Sequence, residues 1–256
     1  MKVAIITVAG ISSRFNEEIE DENKCLKAIY SEGSVKDTLL YHILNKCIYA
    51  DQIIIVGGYK FEDLRKYIDY RIEQVFQQKI KLIFNEKYRE LNSGYSLYLG
   101  LQKAFEYSDL KEVLFIEGDL DIDKKSFAKV VCAETSVLTY NYEPIYANKA
   151  VIFYKKADGN YRYSFNSSHG LLKIEDDFSA LFNSGQCWKF RNIRALKESK
   201  MIFGDTDKSG TNLEIVQEYI NHIKQNEIMI LGLKRWINCN TREDYKKIKI
   251  YWEEEK

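Results

Sequence analysis

The first half of the chain alternates between short apolar runs and longer segments in which apolar residues recur every three or four positions. Short apolar runs are typical of strands buried on both faces, and the longer periodicity is typical of amphipathic helices. The runs predict strands at Val3–Val8, Gln52–Val56, Ile80–Phe84 and Val113–Ile116. The periodic segments predict helices at Thr38–Tyr49, Phe61–Ile72 and Ser93–Tyr107. This alternation favours an α/β fold with a Rossmann-like, doubly wound and mostly parallel sheet.

The second half of the chain has a different pattern, in which short strands are separated by polar turns. These strands are predicted at Ser136–Asn141, Ala150–Lys155, Tyr161–Phe165, Leu171–Glu175 and Gln186–Phe190. Further predicted elements are helices at Ile193–Phe203 and Asn212–Ile223, a strand at Trp236–Cys239, and a helix at Thr241–Trp252 that opens on a capping box. Because no linker or internal repeat interrupts the pattern, we expect one domain, residues 1–256, with a small antiparallel insertion in the half spanning 136–256.

Composition limits the classes of partner. Lys plus Arg and Asp plus Glu both number 38, so the formal net charge is zero and we expect no nucleic-acid partner. No apolar run reaches the ~20 residues of a membrane span, and the first strand begins at once, without a signal peptide. Five scattered cysteines suit reduced thiols, so we expect a cytoplasmic protein.

The segment after the first strand, "VAGISSRFN", carries small residues that end in Arg14. A loop at the carboxyl end of a strand lies where open α/β sheets bind ligands. Small residues let backbone N–H groups approach an anion, and an arginine adds donors suited to phosphate. This pattern indicates a phosphate-binding loop, to which Lys24, ten residues later, would add a second cation. The alternative is a turn with one solvated arginine, since neither standard glycine-rich nucleotide motif is present.

Asp119 follows the predicted strand Val113–Ile116 within "LFIEGDLDID", so its carboxylate is expected at the same edge of the sheet. Carboxylate oxygens there suit Mg²⁺, although acidic turns without a ligand are common. Asp119 and Asp121 also form a D-x-D pair, which is compatible with a glycosyltransferase. Asn92 is expected to cap the helix that follows it.

Together these segments resemble the bacterial nucleotidyltransferases of the sugar-phosphate nucleotidyltransferase superfamily. "AGISSRF" and Lys24 are similar to the signature A-G-x-G-S-R-[FLM], which is followed about ten residues later by P-K. "NEKYRELNSGYSLYLG", "FIEGD", Ser184–Gly185 and "NCNTREDY" resemble segments of the phosphocholine cytidylyltransferase-like branch. The resemblance covers nearly the whole chain and implies the nucleotide-diphospho-sugar transferase fold, which is GT-A-like.

The resemblance also implies roles for the matching residues, with 1–135 as the nucleotide-binding half and 136–256 as the acceptor-binding half. Arg14 and Lys24 would be the catalytic cations, and Mg²⁺ would be held by Asp119 and Asn240. The nucleotide, expected to be CTP, would be bound by Val8, Ala9, Gly10, Ile11, Ser12, Ser13, Arg14, Gly58, Asn92 and Ser96. The chain departs from the family pattern where Ser12 replaces a glycine, Asn23 a proline and Asn240 a carboxylate.

The implied acceptor is a small phosphorylated or phosphonate metabolite similar to phosphocholine, aminoethylphosphonate or phosphoglutamine, used to decorate surface glycans or lipids. Its expected contacts are Tyr140, Tyr142, Ser184, Gly185 and Trp188, in which the aromatic rings would surround a cation. The remaining alternatives are a sugar-1-phosphate nucleotidyltransferase, a D-x-D glycosyltransferase and a non-catalytic nucleotide-binding regulator. A homodimer is compatible with the sequence.

Overall fold

The computed structural model describes residues 1–148, 151–165 and 172–254. The strands are β1 (Lys2–Val8), β2 (Gln52–Gly57), β3 (Ile80–Phe84), β4 (Glu112–Glu117), β5 (Leu120–Ile122), β6 (Ser136–Asn141), β7 (Val151–Lys156), β8 (Tyr161–Phe165), β9 (Phe178–Phe190), β10 (Ile228–Leu233) and β11 (Trp236–Asn238). The helices are α1 (Leu39–Lys46), α2 (Phe61–Arg71), α3 (Gln74–Gln77), α4 (Ser93–Ala104), α5 (Lys124–Cys132), α6 (Ile193–Gly204), α7 (Asn212–Asn221) and α8 (Arg242–Glu254). Short 3₁₀ turns lie at Arg14–Asn16, Asp21–Asn23, Lys27–Ile29 and Gln225–Glu227.

Within the described residues, nine strands form one sheet, whose main path has the order β10-β6-β9-β4-β1-β2-β3. The pairs β1–β2, β1–β4, β2–β3 and β6–β10 are parallel, whereas β9 runs antiparallel to both β4 and β6. Strands β5 and β11 form a separate antiparallel pair beside the sheet. The predicted mostly parallel α/β fold is therefore confirmed.

The central strand β1 is apolar and buried from Val3 to Ile6. Ala4 and Ile6 are buried in one core, which α1, α2 and α5 cover. Val3 and Ile5 are buried in the opposite core, which α4, α6 and α7 cover. Because helices lie on both faces, neither set of alternating side chains meets solvent.

The predicted antiparallel insertion is also confirmed, and the 13-residue strand β9 creates it. Its carboxyl-terminal part pairs with β4 from Cys187 to Phe190, and its amino-terminal part pairs with β7. The sheet of β7, β8 and the first part of β9 therefore lies beyond the carboxyl end of β4. The predicted strand Leu171–Glu175 begins outside the described residues, and 172–175 form no strand. Ala150, the expected first residue of β7, also lies outside them.

The last helix, α8, is fixed by the predicted capping box. The Thr241 hydroxyl accepts a hydrogen bond from the Asp244 backbone N–H at 3.2 Å, and the Asp244 carboxylate accepts one from the Thr241 N–H at 2.9 Å. Tyr245 and Trp252 of α8 pack in a third core that includes Phe15. This core links the end of the first loop to α8. Among the described residues, the helices are all too short or too polar to cross a membrane.

Candidate active site

A cleft of about 770 Å³ opens at the carboxyl ends of β1 and β4. The first loop, the start of the turn Lys27–Ile29, the segment after β3 and the first turns of α4 and α7 form its walls. Among its lining residues are Val8, Ala9, Gly10, Ile11, Ser12, Arg14, Lys27, Asn85, Tyr88, Arg89, Asn92, Ser96, Glu117, Asp119, Gln186, Thr211 and Asn212. The starts of α4 and α7 are joined to each other's segments, because the Gly94 N–H donates to the Gly210 carbonyl at 3.2 Å and the Asn212 N–H donates to the Ser93 hydroxyl at 3.2 Å.

The first loop is held in a left-handed conformation at Ser12, whose φ is +56°. Glycine adopts this conformation readily, which explains the glycine of the related signature at this position. Here the Ser12 side chain is used instead, since its Oγ accepts the Lys27 backbone N–H at 3.3 Å. The buried Asn16 adds a second link: its Nδ2 donates to the carbonyls of Ser12 at 3.0 Å and of Cys25 at 2.8 Å. The loop and the lysine-bearing segment therefore form one hydrogen-bonded unit.

Arg14 and Asn240 meet at the mouth of the cleft, although 226 residues separate them in sequence. The Arg14 guanidinium donates to Asn240 Oδ1 at 2.8 Å. Phe15, beside Arg14, is anchored in the third core, while the Asp244 carboxylate fixes the Asn240 N–H at 3.0 Å. Two residues implied by the family signature are thus brought together by α8.

Asp119 lies opposite the first loop and is paired with Lys27. The distance from Lys27 Nζ to Asp119 Oδ2 is 2.7 Å, and the two side chains are only 18% and 21% exposed. Lys24, the lysine that the signature implies, does not line the cleft: its Nζ contacts Asp21 Oδ1 at 2.6 Å in the preceding turn. The hydrogen bond to Asp21 raises the pKa of Lys24.

The backbone links Asp119 to the segment that carries Asn240. The Cys239 N–H donates to the Asp119 carbonyl at 2.8 Å, which places Asn240 one residue away. Asp119 Oδ1 is buried and has no hydrogen-bond partner among the described residues. A carboxylate and an amide oxygen, with the remaining positions left to water and phosphate, suit Mg²⁺. No group of three His, Cys, Asp or Glu side chains in the described ranges offers an all-protein metal site.

Glu117 lies two residues before Asp119 and also lines the cleft. Its Oε1 accepts a hydrogen bond at 2.6 Å from Nδ2 of Asn212, the first residue of α7. Burial raises the pKa of Glu117 to about 8, and the neighbouring Asp119 adds to the rise. No ion pair joins this carboxylate to a lysine or arginine of the described residues, so it is suited to a positively charged ligand group.

Asp121, the second acid of the D-x-D pair, is directed away from the cleft. It is 1% exposed, and its carboxylate contacts Lys46 at 3.2 Å and Arg235 at 3.0 Å. Trp252 Nε1 donates to it at 2.9 Å. Burial alone would raise the pKa of Asp121, but Lys46, Trp252 and Arg235 together hold it below its ordinary value. The two acids therefore do not share a metal site, which disfavours the glycosyltransferase alternative.

The segment after β3 forms another wall of the cleft. Asn85 Nδ2 donates to the Ser96 hydroxyl at 2.9 Å, and both residues line the cleft. Asn92 precedes α4 as predicted, but it makes no side-chain cap. Its amide donates instead to the Ser209 carbonyl at 2.7 Å, which ties the segment before α7 to α4.

Two predicted nucleotide contacts, Gly58 and Ser13, lie outside the cleft lining. Gly58 packs closely against the first loop. A Cβ at Gly58 would approach the Ala9 carbonyl to 2.8 Å, so a side chain there would displace the loop.

The predicted acceptor residues are not brought into the cleft. Trp188 is fully buried, because its ring stacks on Phe115 and its Nε1 donates to the Tyr163 hydroxyl at 2.7 Å. Ser184 is 1% exposed, and the Gly185 carbonyl accepts a hydrogen bond from Trp236. The other two, Tyr140 and Tyr142, contact each other in edge-on geometry beside β10. The structure thus places Trp188 in the core and forms no aromatic cage from this set.

Several residues of the cleft were not identified from the sequence, namely Lys27, Asn85, Gln186, Thr211 and Asn212, and Glu117 was considered only as added charge or an alternative metal ligand beside Asp119. A usable signal existed for Glu117 and Asn85, because both stand at the carboxyl ends of predicted parallel strands. No local pattern distinguishes Lys27 from Lys24, and Asn212 reaches the cleft only through the packing of α7 on α4.

The chain is similar over part of its length to a known enzyme. A choline-phosphate cytidylyltransferase of Haemophilus influenzae is 37% identical over 99 residues, which span 38% of this chain and 37% of that protein. The chain therefore aligns with little more than a third of its curated relative.

Solved structures show the same fold over nearly the full length. The CTP:phosphocholine cytidylyltransferase of Streptococcus pneumoniae superposes with a TM-score of 0.61 at 16% identity, covering 98% of this chain and 99% of that one. The inositol-1-phosphate CTP transferase of T. maritima gives 0.65 at 14% identity, covering 98% and 94%. The model of the family described as "Domain of unknown function (DUF6564)" matches residues 23–252, so the chain belongs to that family and has the fold of these nucleotidyltransferases.

Proposed function

We propose that this protein is a CTP-dependent cytidylyltransferase that transfers CMP to a small phosphorylated acceptor and releases pyrophosphate. The observation that carries the proposal is the convergence of the first loop, Arg14, Lys27 and Asp119 at one cleft, with Asn240 in contact with Arg14. Backbone donors, two cations and hard oxygen ligands are what a nucleoside triphosphate requires.

In the proposed reaction, an oxygen of the acceptor phosphate attacks the α-phosphorus of CTP. The bond from that phosphorus to the oxygen bridging the α- and β-phosphates breaks, and pyrophosphate leaves with the electron pair. The attacking oxygen is already anionic, so no side chain has to remove a proton. The protein therefore acts by positioning the two phosphates and neutralising their charge.

In this proposal, different residues of the cleft bind the phosphates and the metal ion. The backbone N–H groups of the first loop and the guanidinium of Arg14 would hold the β- and γ-phosphates. Asp119 and Asn240 would hold Mg²⁺, which supplies positive charge at the α-phosphate. Lys27, 2.7 Å from Asp119, lies where its ammonium can reach the same phosphates.

The choice of CTP is supported by the 37% identical segment shared with a choline-phosphate cytidylyltransferase. Cytosine differs from uracil in its 4-amino group. A pocket whose oxygen atoms accept from that amine rejects the uracil carbonyl, because polar groups are then buried without partners. Asn85 and Ser96, joined by a hydrogen bond of 2.9 Å, are two of the polar side chains in the wall after β3.

The proposed acceptor carries an ammonium group as well as its phosphate or phosphonate, as phosphocholine and aminoethylphosphonate do. Glu117 supports this choice: burial raises its pKa to about 8, and an ammonium group bound beside it would favour the charged carboxylate. A cation that is drawn out of water needs such a counter-charge. Activated metabolites of this kind serve as donors for surface glycans or lipids.

The proposal is tested by measuring pyrophosphate release with the four common NTPs against a panel of acceptors in the presence of Mg²⁺. The panel contains phosphocholine, aminoethylphosphonate, phosphoglutamine and glucose 1-phosphate. We expect release from CTP with an ammonium-bearing acceptor and little from the other nucleotides. Release with UTP and glucose 1-phosphate alone would instead identify a sugar-1-phosphate nucleotidyltransferase. Binding of CTP without any release would identify a regulator.

A further inference from the structure

Two lysines three residues apart, Lys24 and Lys27, have different surroundings. Lys24 is 36% exposed, and its partner Asp21 is 95% exposed on the outer side of the segment. Lys27 is 18% exposed and contacts Asp119 inside the cleft. Solvent screens the Lys24–Asp21 ion pair strongly, whereas it screens the partly buried Lys27–Asp119 ion pair less.

The backbone holds Lys27 firmly at the cleft. Its neighbours Leu26 and Ala28 are each 2% exposed in the core below α1 and α2. Its own N–H donates to Ser12 Oγ at 3.3 Å, which links this lysine to the first loop. The side chain between two buried neighbours is thereby directed into the cleft, and only the flexible stem is left to move.

The backbone of Asp119 is also held by a hydrogen bond, but only one of its two carboxylate oxygens has a partner among the described residues. Its carbonyl accepts the Cys239 N–H at 2.8 Å, its Oδ2 contacts Lys27, and its Oδ1 is buried without a partner among the described residues. A partly buried carboxylate left without a cation is costly, so Lys27 supplies the counter-charge in the free protein. A divalent cation on Asp119 would provide that charge instead and would release the ammonium.

We propose that Lys27 is a further catalytic residue, which neutralises Asp119 in the free protein and moves onto the nucleotide phosphates when the metal ion and CTP bind. This inference rests on the proposed function. A lysine suits the exchange, because its ammonium is a compact charge on a flexible four-carbon stem. The ion pair keeps the metal ligand oriented before substrate arrives and places a cation beside the reacting phosphate afterwards.

The test uses Lys27→Met, which keeps much of the stem and removes the charge, and Lys27→Arg, which keeps the charge. Lys36→Met is the matched control, because Lys36 pairs with Glu73 at 3.6 Å outside the cleft. The first readout is Mn²⁺ binding to the ligand-free protein, measured from the electron paramagnetic resonance signal of unbound Mn²⁺. Removing the competing ammonium should tighten binding in Lys27→Met about tenfold, and Lys36→Met should bind as the wild type does.

The second readout is pyrophosphate release from CTP with phosphocholine. Lys27→Met should lower kcat by roughly 100-fold with a smaller change in KM for CTP, and Lys27→Arg should recover part of the loss. Unchanged Mn²⁺ affinity together with unchanged kcat would overturn the inference. So would a loss of turnover confined to Lys24→Met. If the wild type releases no pyrophosphate, the proposed function fails separately, while Mn²⁺ binding still decides whether Lys27 competes with the metal.

Discussion

Asp121 and Asp119 are expected to have different roles. Asp121 is a buried structural acid, whereas Asp119 lies in the cleft and is expected to act in the reaction. We expect Asp121→Asn to destabilise the protein strongly and to leave its metal-dependent activity in place. The substitution keeps the size of the side chain and an oxygen for Trp252 Nε1, but it removes the negative charge between Lys46 and Arg235. Two cations then remain on one buried site.

The size of the effect follows from the burial of this cluster. Asp121 is 1% exposed, Lys46 is 5% exposed and Arg235 is 17% exposed, so water screens these charges weakly. Removing one partner of a buried ion pair costs roughly 3–5 kcal/mol, and the retained hydrogen bond places this substitution near the lower end, at about 3 kcal/mol. For a chain of this size, that corresponds to a Tm lowered by about 6–10 °C.

The effect also has a defined dependence on pH. The pKa of Asp121 is lowered in the folded protein, so its stabilising contribution is present above the ordinary aspartate pKa, ~4, and is lost as the pH falls through the folded value. The difference in stability between wild type and Asp121→Asn should therefore be constant near neutral pH and shrink below about pH 4.

The assay combines urea unfolding with Mg²⁺-dependent pyrophosphate release, and Asp119→Asn is the contrasting variant. Asp119 lies in the open cleft and has one carboxylate oxygen without a partner among the described residues, so its substitution should cost less unfolding free energy than Asp121→Asn and should abolish turnover. The reasoning is refuted if Asp121→Asn loses turnover while its unfolding free energy stays within about 1 kcal/mol of wild type. That result would place Asp121 at the metal.

Three further predictions concern the cleft. Asn240→Asp adds a carboxylate beside Asp119 and should lower the Mg²⁺ concentration for half-maximal turnover by about tenfold; an unchanged Mg²⁺ titration would remove Asn240 from the metal site. Glu117→Gln should reduce, by about tenfold in kcat/KM, the preference for phosphocholine over its uncharged carbon isostere 3,3-dimethylbutyl phosphate, and an unaltered preference counts against the acceptor assignment. Ser12→Gly removes backbone strain of about 1 kcal/mol but also removes the hydroxyl bonded to Lys27, so its unfolding free energy should stay within about 1 kcal/mol of wild type. Ser12→Ala loses the same hydroxyl and keeps the strain, so it should be the less stable of the two variants in urea.

The parts of the fold predicted from the sequence are those in which periodicity and burial agree. The strand β1 was recognisable because both of its faces are covered, and the first loop because its small residues follow that strand. Helix α5 and strand β10 were missed, and so was strand β5, since "GDLDID" has the composition of an acidic turn. Only its pairing with β11 and the burial of Leu120 and Ile122 make it a strand.

The site was less predictable, because the direction in which a side chain points depends on packing rather than on the spacing of residues in the sequence. The family signature locates the segment that holds Lys24 and Lys27, but buried Leu26 and Ala28 decide which lysine enters the cleft. The aromatic residue Trp188 was assigned to an acceptor cage from its type and position, and the stacking on Phe115 that buries it is invisible in the sequence. These are long-range contacts that local patterns do not encode.

The central claim is that this cleft joins CMP to an ammonium-bearing phosphate. The most direct measurement is ³¹P nuclear magnetic resonance of a reaction containing CTP, phosphocholine and Mg²⁺. We predict equal amounts of pyrophosphate and of a CDP-linked product, both absent with Asp119→Asn. Pyrophosphate formed without a new diphosphate linkage, or no consumption of CTP with any ammonium-bearing acceptor, would contradict the account.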